Sequence, residues 1–128
     1  METITEEKIE NTRELLEEFH TQEEKQVIVH AIVKGFCNGD SIVRVWPTIF
    51  LIPKGSNKKC KLLHHFNIVM YPEQQSLTPN SILRFTLIFE GLPADCKMFD
   101  IVEIIPEHGG FETRNIKRNE QDVYQVEY

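Results

Sequence analysis

The 128-residue sequence contains no apolar run approaching the ~20 residues that a membrane-spanning helix requires. Its first ten residues, METITEEKIE, have neither the basic region nor the apolar region of a secretory signal. Three cysteines, an odd number without CxxC spacing, argue against a disulfide framework and indicate free thiols, with a disulfide between two of them as the alternative. We therefore expect a cytoplasmic protein in which Cys37, Cys60 and Cys96 are reduced.

The sequence also lacks the motifs of common catalytic and nucleotide-binding sites. It has no GxSxG, P-loop, GxGxxG, HExxH or paired CxxC motif. Asp100, Glu103 and His108 lie near one another in the chain and are the remaining, weak candidates for acid–base catalysis. We expect a protein that is not an enzyme and that needs no cofactor.

A metal site is equally unsupported. His64 and His65 are adjacent, and adjacent residues of a strand point to opposite faces. Cys60 would share a face with His64 in a regular strand but would lie too far along it to bind the same ion. We therefore predict no metal site at this position.

Charge is distributed unevenly along the chain. Residues 1–24 contain nine glutamates against Lys8 and Arg13, a net charge of −7. Residues 25–128 contain twelve lysines and arginines against eleven acidic residues, a net charge of +1. The acidity therefore belongs to one N-terminal element, and the sequence divides into an acidic helix with its linker (1–24) and a nearly neutral body (25–128).

An amphipathic helix is predicted from Thr3 to about Phe19. Thr3 and Glu6 fit a capping box at its start. Ile9, Leu16 and Phe19 form an apolar stripe, and glutamates at spacing four form an acidic ridge of Glu6, Glu10, Glu14 and Glu18. We expect the stripe and the ridge, Glu10 and Glu14 included, to bind a partner. The alternatives are an ordinary solvated face and a helix that packs on its own body.

The clearest strand signal runs from Leu83 to Phe89. Leu83, Phe85, Leu87 and Phe89 alternate with mostly polar residues, which places four large apolar side chains on one face of a strand. The Gly91-Leu92-Pro93 corner ends this strand, and a second strand begins at Phe99 and stops before Pro106.

This region, FTLIFEGLP (85–93) followed by FDIVE (99–103), resembles the end segment of small, mostly uncharacterised bacterial immunoglobulin-like β-sandwich domains. The resemblance extends loosely over 27–128. It implies a β-sandwich with a binding or accessory role, and it brings no catalytic residues. The acidic helix lies outside the shared pattern.

Further strands are predicted on both sides of this segment. Val27 to Val33 alternate as a first strand, and residues 62–71 form another, followed by a loop over 72–80. Pro47 interrupts the apolar run 41–53, which is either two short strands or one bent edge strand. Residues 111–118 and 122–128 are predicted to pair with each other. The expected fold is mainly β, an immunoglobulin-like antiparallel sandwich of about seven strands with one N-terminal α-helix.

Two further surfaces of the body are candidates for binding. Residues 54–61 are predicted to form a hairpin tip that carries Lys54, Lys58, Lys59 and Lys61. This tip suits an acidic partner, which could be the acidic helix of the same or a second copy; the alternative is that the tip is simply solvated. No aromatic residues alternate with the lysines, so binding of single-stranded nucleic acid is not indicated.

The alternative function is binding of a small ligand in a cleft lined by Trp46, Phe50 and Tyr71. The simpler explanation for Trp46 is that it packs in the core or at its rim. We expect a non-enzymatic interaction or accessory module with a protein partner, a homodimer included, and no contact with membranes.

Overall fold

The structure, a computed structural model, describes residues 26–128, and these residues fold into a mainly β body, as the sequence predicts. Within this range there are nine strands. They are β1 Val27–Lys34, β2 Ser41–Val43, β3 Ile49–Pro53, β4 Cys60–Phe66, β5 Gln75–Leu77, β6 Ile82–Phe89, β7 Met98–Glu103, β8 Glu112–Lys117 and β9 Val123–Glu127. The predicted helix over residues 3–19 lies outside the described residues.

Seven strands form one nearly closed sheet in the order β8-β7-β3-β4-β6-β1-β9, and β2 pairs with β5 in a separate small sheet. The two edge strands of the large sheet meet through side chains. Thr113 on β8 donates a hydrogen bond to the Tyr128 hydroxyl over 3.1 Å, and the rings of Phe111 and Tyr128 lie 4.6 Å apart. Contact between these edges limits the exposure of unpaired backbone groups.

The core of the body is built around β6. Phe85, Leu87 and Phe89 are buried, and Leu83 is half-buried against the same cluster, so the predicted alternation is confirmed. β1 lies beside β6 in antiparallel register, with Val27 opposite Phe89. The alternating apolar residues of these two neighbouring strands thus form much of the interior.

Pro47 separates two strands that belong to different sheets. β2 ends at Val43 and pairs with β5, whereas β3 begins at Ile49 and pairs with β4 and β7. The amide of Ile49 donates to the carbonyl of Trp46 over 3.3 Å, which closes a turn around the proline. Since Pro47 has no amide hydrogen for a sheet ladder, the chain changes sheets here.

The predicted pairing of the last two strands is wrong. β9 instead pairs in parallel with β1, with Ile28 opposite Val123. Asp122 adopts a positive φ of 54° immediately before β9, and its carbonyl accepts a hydrogen bond from the amide of Ile28 over 2.9 Å. The turn therefore delivers β9 to β1 rather than to β8.

Two strand boundaries also differ from the prediction. β4 ends at Phe66 rather than near Tyr71, because Asn67 takes a positive φ of 62° and donates its side-chain amide to the carbonyl of Arg84. The predicted loop 72–80 contains β5, a strand of only three residues. So short a strand leaves no periodic signal in the sequence, and β2 is equally short.

Candidate functional site

A groove of about 480 Å³ opens at the end of the body where β1 and β7 finish. We call it the end groove and define it by Phe36, Ile42, Arg44, Glu103, His108 and Phe111. β2 together with Arg44 and Trp46, which follow it, forms one wall, and the connection between β7 and β8 forms the other. Its volume falls within the range of small-ligand and peptide sites.

Glu103, the last residue of β7, lies at the base of the end groove and is 9% exposed. Its Oε2 accepts a hydrogen bond from the amide of Trp46 over 2.9 Å, and its Oε1 accepts one from the amide of Phe111 over 3.2 Å. Burial raises the pKa of the Glu103 carboxyl, and the two amide hydrogen bonds and the charge of Arg44 offset part of that rise. The carboxylate therefore joins the two walls.

Gly110 brings the second wall close to Glu103. A Cβ at this position would lie 2.9 Å from the carbonyl oxygen of Glu103, closer than real Cβ atoms approach backbone. Glu103 also donates its own amide to the carbonyl of Phe111 over 2.9 Å. A glycine is therefore required for the backbone to close over the end of β7.

Arg44 covers a stacked aromatic pair beside the groove. The rings of Trp46 and Tyr71 lie 3.7 Å apart at 16°, and the guanidinium of Arg44 lies 5.3 Å and 4.8 Å from their respective centroids. Glu107 lies 3.6 Å from the same guanidinium. Stacking and charge together fix the Arg44 side chain at the groove wall.

The structure brings together two of the three residues of the predicted aromatic cleft. Trp46 lines the end groove and Tyr71 stacks on it, whereas Phe50 lies elsewhere on β3, opposite Lys61 of β4. The ammonium of Lys59 lies 5.4 Å from the Phe50 ring centroid. Phe50 therefore belongs to the lysine tip rather than to the groove.

The lysine tip comprises Lys54, Lys58, Lys59 and Lys61. All four lysines are exposed, and Lys54 alone among them donates a side-chain hydrogen bond, to Oδ2 of Asp100 over 2.9 Å, within residues 26–128. Within residues 26–128 none of the other three lysines forms an ion pair with an acidic side chain. The tip is a local concentration of positive charge. It lies near the start of β7, where Pro53 pairs with Phe99, whereas the end groove lies at the other end of β7, at Glu103.

Asp100 is held by three donors and is 3% exposed. Burial by itself would raise its pKa, but hydrogen bonds from the Asn115 amide (2.8 Å), Lys54 (2.9 Å) and Arg114 (3.0 Å) outweigh it and lower the pKa below its ordinary value. These contacts fasten β7 to β8 and to the base of the lysine tip.

The three candidate catalytic residues do not form one constellation. Glu103 follows the inward alternation of Phe99 and Ile101, whereas Asp100 lies on the other side of β7 beneath Lys54. His108 lines the end groove with Glu103, and in the described part of the chain no hydrogen bond joins His108 to either carboxylate.

The two histidines of β4 diverge, as the sequence predicts. His64 pairs with Ile88, and His65 with Leu87 of the inward face; Nδ1 of His65 contacts the carbonyl of Ile68 over 2.8 Å. β4 is not a regular strand: a register shift between Leu62 and His64 breaks the alternation, so Cys60 and His64 do not share a face. Residues 26–128 contain no group of three potential metal-ligating side chains.

No protein-family model, curated protein or solved structure matched the chain.

A polar cluster that the sequence did not indicate closes the turn before β9. The guanidinium of Arg118 binds both carboxylate oxygens of Asp122, at 3.0 and 3.2 Å. The Tyr124 hydroxyl donates to Oδ1 of Asp122 over 2.8 Å and accepts from the amide of Asn119 over 3.0 Å. Burial raises the pKa of Tyr124 to about 12. In the sequence, residues 118–124 look like an ordinary polar turn. The cluster could therefore not be predicted without the fold.

The three cysteines are free thiols in the structure. Cys37 is exposed, whereas Cys60 and Cys96 are buried and direct their sulfurs to the carbonyls of Gly91 and Met98, each at 3.4 Å. Burial raises the pKa of the Cys60 thiol.

Over residues 26–128 no helix is long and apolar enough to cross a membrane.

Proposed function

We propose that this protein is a non-enzymatic interaction module that binds an extended segment of a partner protein in the end groove. The observation that carries the proposal is the position of β2. Among the described residues 26–128 this strand pairs only with β5, so its other edge carries unpaired backbone groups, and all three of its residues line the groove. An extended peptide can add to such an edge through main-chain hydrogen bonds.

Exposed apolar side chains support the same interpretation. Phe36 is 68% exposed and Ile42 is 62% exposed, and both line the end groove. The lining includes the basic or ionisable residues Lys34, Arg44 and His108 and the acidic residues Glu103, Glu107 and Glu112, so neither sign of charge dominates. Alternate apolar side chains of a bound strand would contact Phe36 and Ile42, while the strand edge supplies affinity through the backbone.

The polar contacts of the groove favour binding over catalysis. Both oxygens of Glu103 accept backbone hydrogen bonds, and Arg44 is held by Glu107 and by two rings. Groups held in this way are suited to shaping a site rather than to exchanging protons with a substrate. The resemblance to immunoglobulin-like sandwich domains, which present edges and loops to partners, agrees with this role.

A partner for the lysine tip is a second part of the same proposal. Lys58, Lys59 and Lys61 are exposed and suit an acidic protein surface, so the tip would steer association rather than supply most of the affinity. The steering contribution is expected to weaken as salt is added.

Binding of a small ligand near Trp46 is the alternative function. The volume of about 480 Å³ and the buried carboxylate at the base of the groove favour it. Native mass spectrometry of the purified protein distinguishes the two: a stoichiometric small-molecule adduct lost in Glu103→Gln supports the alternative.

The test of the proposal compares a groove variant with a matched surface variant. A partner is captured with the wild-type chain, identified, purified, and its Kd measured by calorimetry. Phe36→Ser/Ile42→Ser is expected to weaken binding roughly tenfold or more, because each lost apolar contact costs about 1–3 kcal/mol. Met98→Ser, which changes an exposed apolar residue away from the groove, should leave Kd unchanged. Equal affinity of the groove variant and the wild type would overturn the proposal.

A further inference from the structure

The turn between β1 and β2 contains a chemically reactive pair of residues, Asn38 and Gly39. Of the seven asparagines in the sequence, only Asn38 is followed by glycine. Residues 36–40 are all exposed and belong to neither strand. Exposed loop tips are the parts of a fold where covalent attack and tolerated change concentrate. The packing of the body therefore does not protect this pair.

No hydrogen bond holds either reacting group in place. Within residues 26–128, the Asn38 side chain has no hydrogen-bond partner and the Gly39 amide donates to no acceptor. By contrast, the side-chain amides of Asn67 and Asn119 donate to backbone carbonyls over 2.6 and 2.9 Å. A Cβ at Gly39 would meet nothing within 4 Å, so the space beside this residue is open. The missing side chain also leaves the Gly39 backbone unshielded.

We propose that Asn38 is a site of spontaneous deamidation and that this reaction changes the β2 wall of the end groove. The Gly39 amide nitrogen loses its proton to hydroxide and attacks Cγ of Asn38. A bond forms between this nitrogen and Cγ, the bond from Cγ to Nδ2 breaks, and ammonia leaves. The product is a cyclic succinimide.

Water then opens the succinimide at the carbonyl carbon of either the former side chain or the main chain. Breaking the new bond to Cγ gives aspartate with the ordinary backbone. Breaking the original peptide bond gives isoaspartate, in which the main chain runs through the side chain and is longer by a methylene group. Both products carry a carboxylate in place of the neutral amide, so the turn becomes more negative. Water is the only co-reactant, and no oxidant is consumed.

The turn is anchored at both ends, so its anchors cannot absorb a longer main chain. On the β1 side, the Asn80 amide donates to the Phe36 carbonyl over 3.2 Å. On the other side, Ser41 pairs with Leu77 at the start of the three-residue strand β2. So short a strand has few hydrogen bonds to resist a displacement of the turn. Isoaspartate at position 38 is therefore expected to loosen β2 where it lines the end groove.

Peptide mapping by mass spectrometry, after timed incubation of the purified full chain, tests the reaction. The peptide that contains Asn38 is expected to gain the mass difference between an amide and an acid, in two forms that chromatography separates. Its rate should rise with hydroxide concentration, because the Gly39 nitrogen must lose its proton.

Asn57 is the internal control for the mapping. It is equally exposed, but Lys58 follows it, and the Lys58 amide already donates to the Ser56 hydroxyl over 3.1 Å. Asn57 should therefore change far more slowly than Asn38. Equal rates at the two asparagines, or a rate at Asn38 that does not depend on pH, would overturn the assignment.

Hydrogen exchange measures the consequence for the groove. The isoaspartate form, isolated by chromatography, is compared with Asn38→Asp, which has the new charge without the longer backbone. Asn38→Gln, incubated in the same way, is the second control because its longer side chain closes the corresponding ring more slowly. Peptides that cover β2 and β5 are expected to exchange faster in the isoaspartate form than in either control.

Equal exchange in all three proteins would overturn the proposed change of the wall, even where the mapping supports deamidation. Neither measurement uses a binding partner, so both outcomes are independent of the function proposed for the end groove.

Discussion

The backbone amide of Trp46 donates a hydrogen bond of 2.9 Å to Oε2 of Glu103, which joins the turn at Pro47 to the end of β7. The other oxygen of the same carboxylate accepts from the amide of Phe111 at 3.2 Å. One side chain thus satisfies two backbone donors of separate segments, and these segments form the walls of the end groove. The shape of the candidate site therefore depends on Glu103.

Substitution of Glu103 should destabilise the protein. Glu103→Ala leaves the amides of Trp46 and Phe111 without an acceptor, at a cost of about 1–3 kcal/mol for each buried donor. Glu103→Gln retains one acceptor oxygen and should cost less. Urea unfolding, followed through the single tryptophan, measures both. Glu73→Gln, at an exposed position, is the control. Equal stability of Glu103→Ala and Glu73→Gln would show that the hydrogen bonds from Trp46 and Phe111 to Glu103 do not stabilise the fold.

Asp100 should contribute stability that depends on pH. Its folded pKa lies below the ordinary value of 3.8, so its contribution is complete above that value and is lost as the pH falls through the folded pKa. Asp100→Asn should lower stability at neutral pH by about 1–3 kcal/mol and flatten the loss of stability in acid. Urea midpoints between pH 2 and 7 measure the slope.

The control for this prediction is Asp95→Asn, because Asp95 is exposed and has no ion pair within residues 26–128. An unchanged acid slope in Asp100→Asn would mean that other carboxylates govern acid unfolding.

The sequence predicts the elements whose physics is local. The alternation of Phe85, Leu87 and Phe89 predicts β6, and the missing amide of Pro47 predicts an interruption of the run 41–53, although not whether it becomes two strands or one bent strand. Parallel pairing of β9 with β1 could not be predicted, since it depends on how the turn at Asp122 directs the chain. Side-chain periodicity identifies a strand but not its neighbour.

The candidate site was predictable only in part. The sequence predicts a small-ligand cleft near Trp46, Phe50 and Tyr71, and the structure brings Trp46 and Tyr71 together. The roles of Glu103 and Arg44 could not be predicted, because their partners, Phe111 and Tyr71, are separated from them in sequence and are brought close only by the fold. Phe50 is, like Trp46, an aromatic residue of the apolar run 41–53. Its position opposite Lys61 nevertheless places it at the lysine tip.

The interior positions of β6 should differ in their effect on stability. Leu87 is 2% exposed, so Leu87→Ala should cost about 2–5 kcal/mol through lost burial and a residual cavity. Leu83 is half-buried, and Leu83→Ala should cost distinctly less because solvent and neighbours can fill the space. Chemical denaturation of both variants measures the difference. If Leu83→Ala costs as much as Leu87→Ala, the outer end of β6 is more tightly packed than its exposure indicates.

The three thiols should differ in reactivity. Cys37 is exposed and should react rapidly with a disulfide reagent, whereas Cys60 and Cys96 are buried and should react only when the protein unfolds. A colorimetric thiol assay of the native protein should therefore detect one thiol per chain, and the assay in denaturant three. Cys37→Ser should abolish the native signal, and rapid reaction of a second thiol would contradict the burial of Cys60 or Cys96.

Ionisation of Tyr124 in alkali should destabilise the folded protein. Its pKa is raised to about 12 in the folded protein from an ordinary 10.0, so the unfolded chain loses this proton first and stability falls as the pH rises between those values. A difference of that size corresponds to roughly 2–3 kcal/mol. Tyr124→Phe should remove much of the alkaline loss, at a cost of about 1 kcal/mol at neutral pH for the hydrogen bond to Asp122. Thermal unfolding, followed by circular dichroism from pH 8 to 12, measures how stability falls with pH in the wild type and in the variant. Tyr71→Phe is the exposed control, and an identical alkaline slope in Tyr124→Phe and the wild type would assign the loss to other groups.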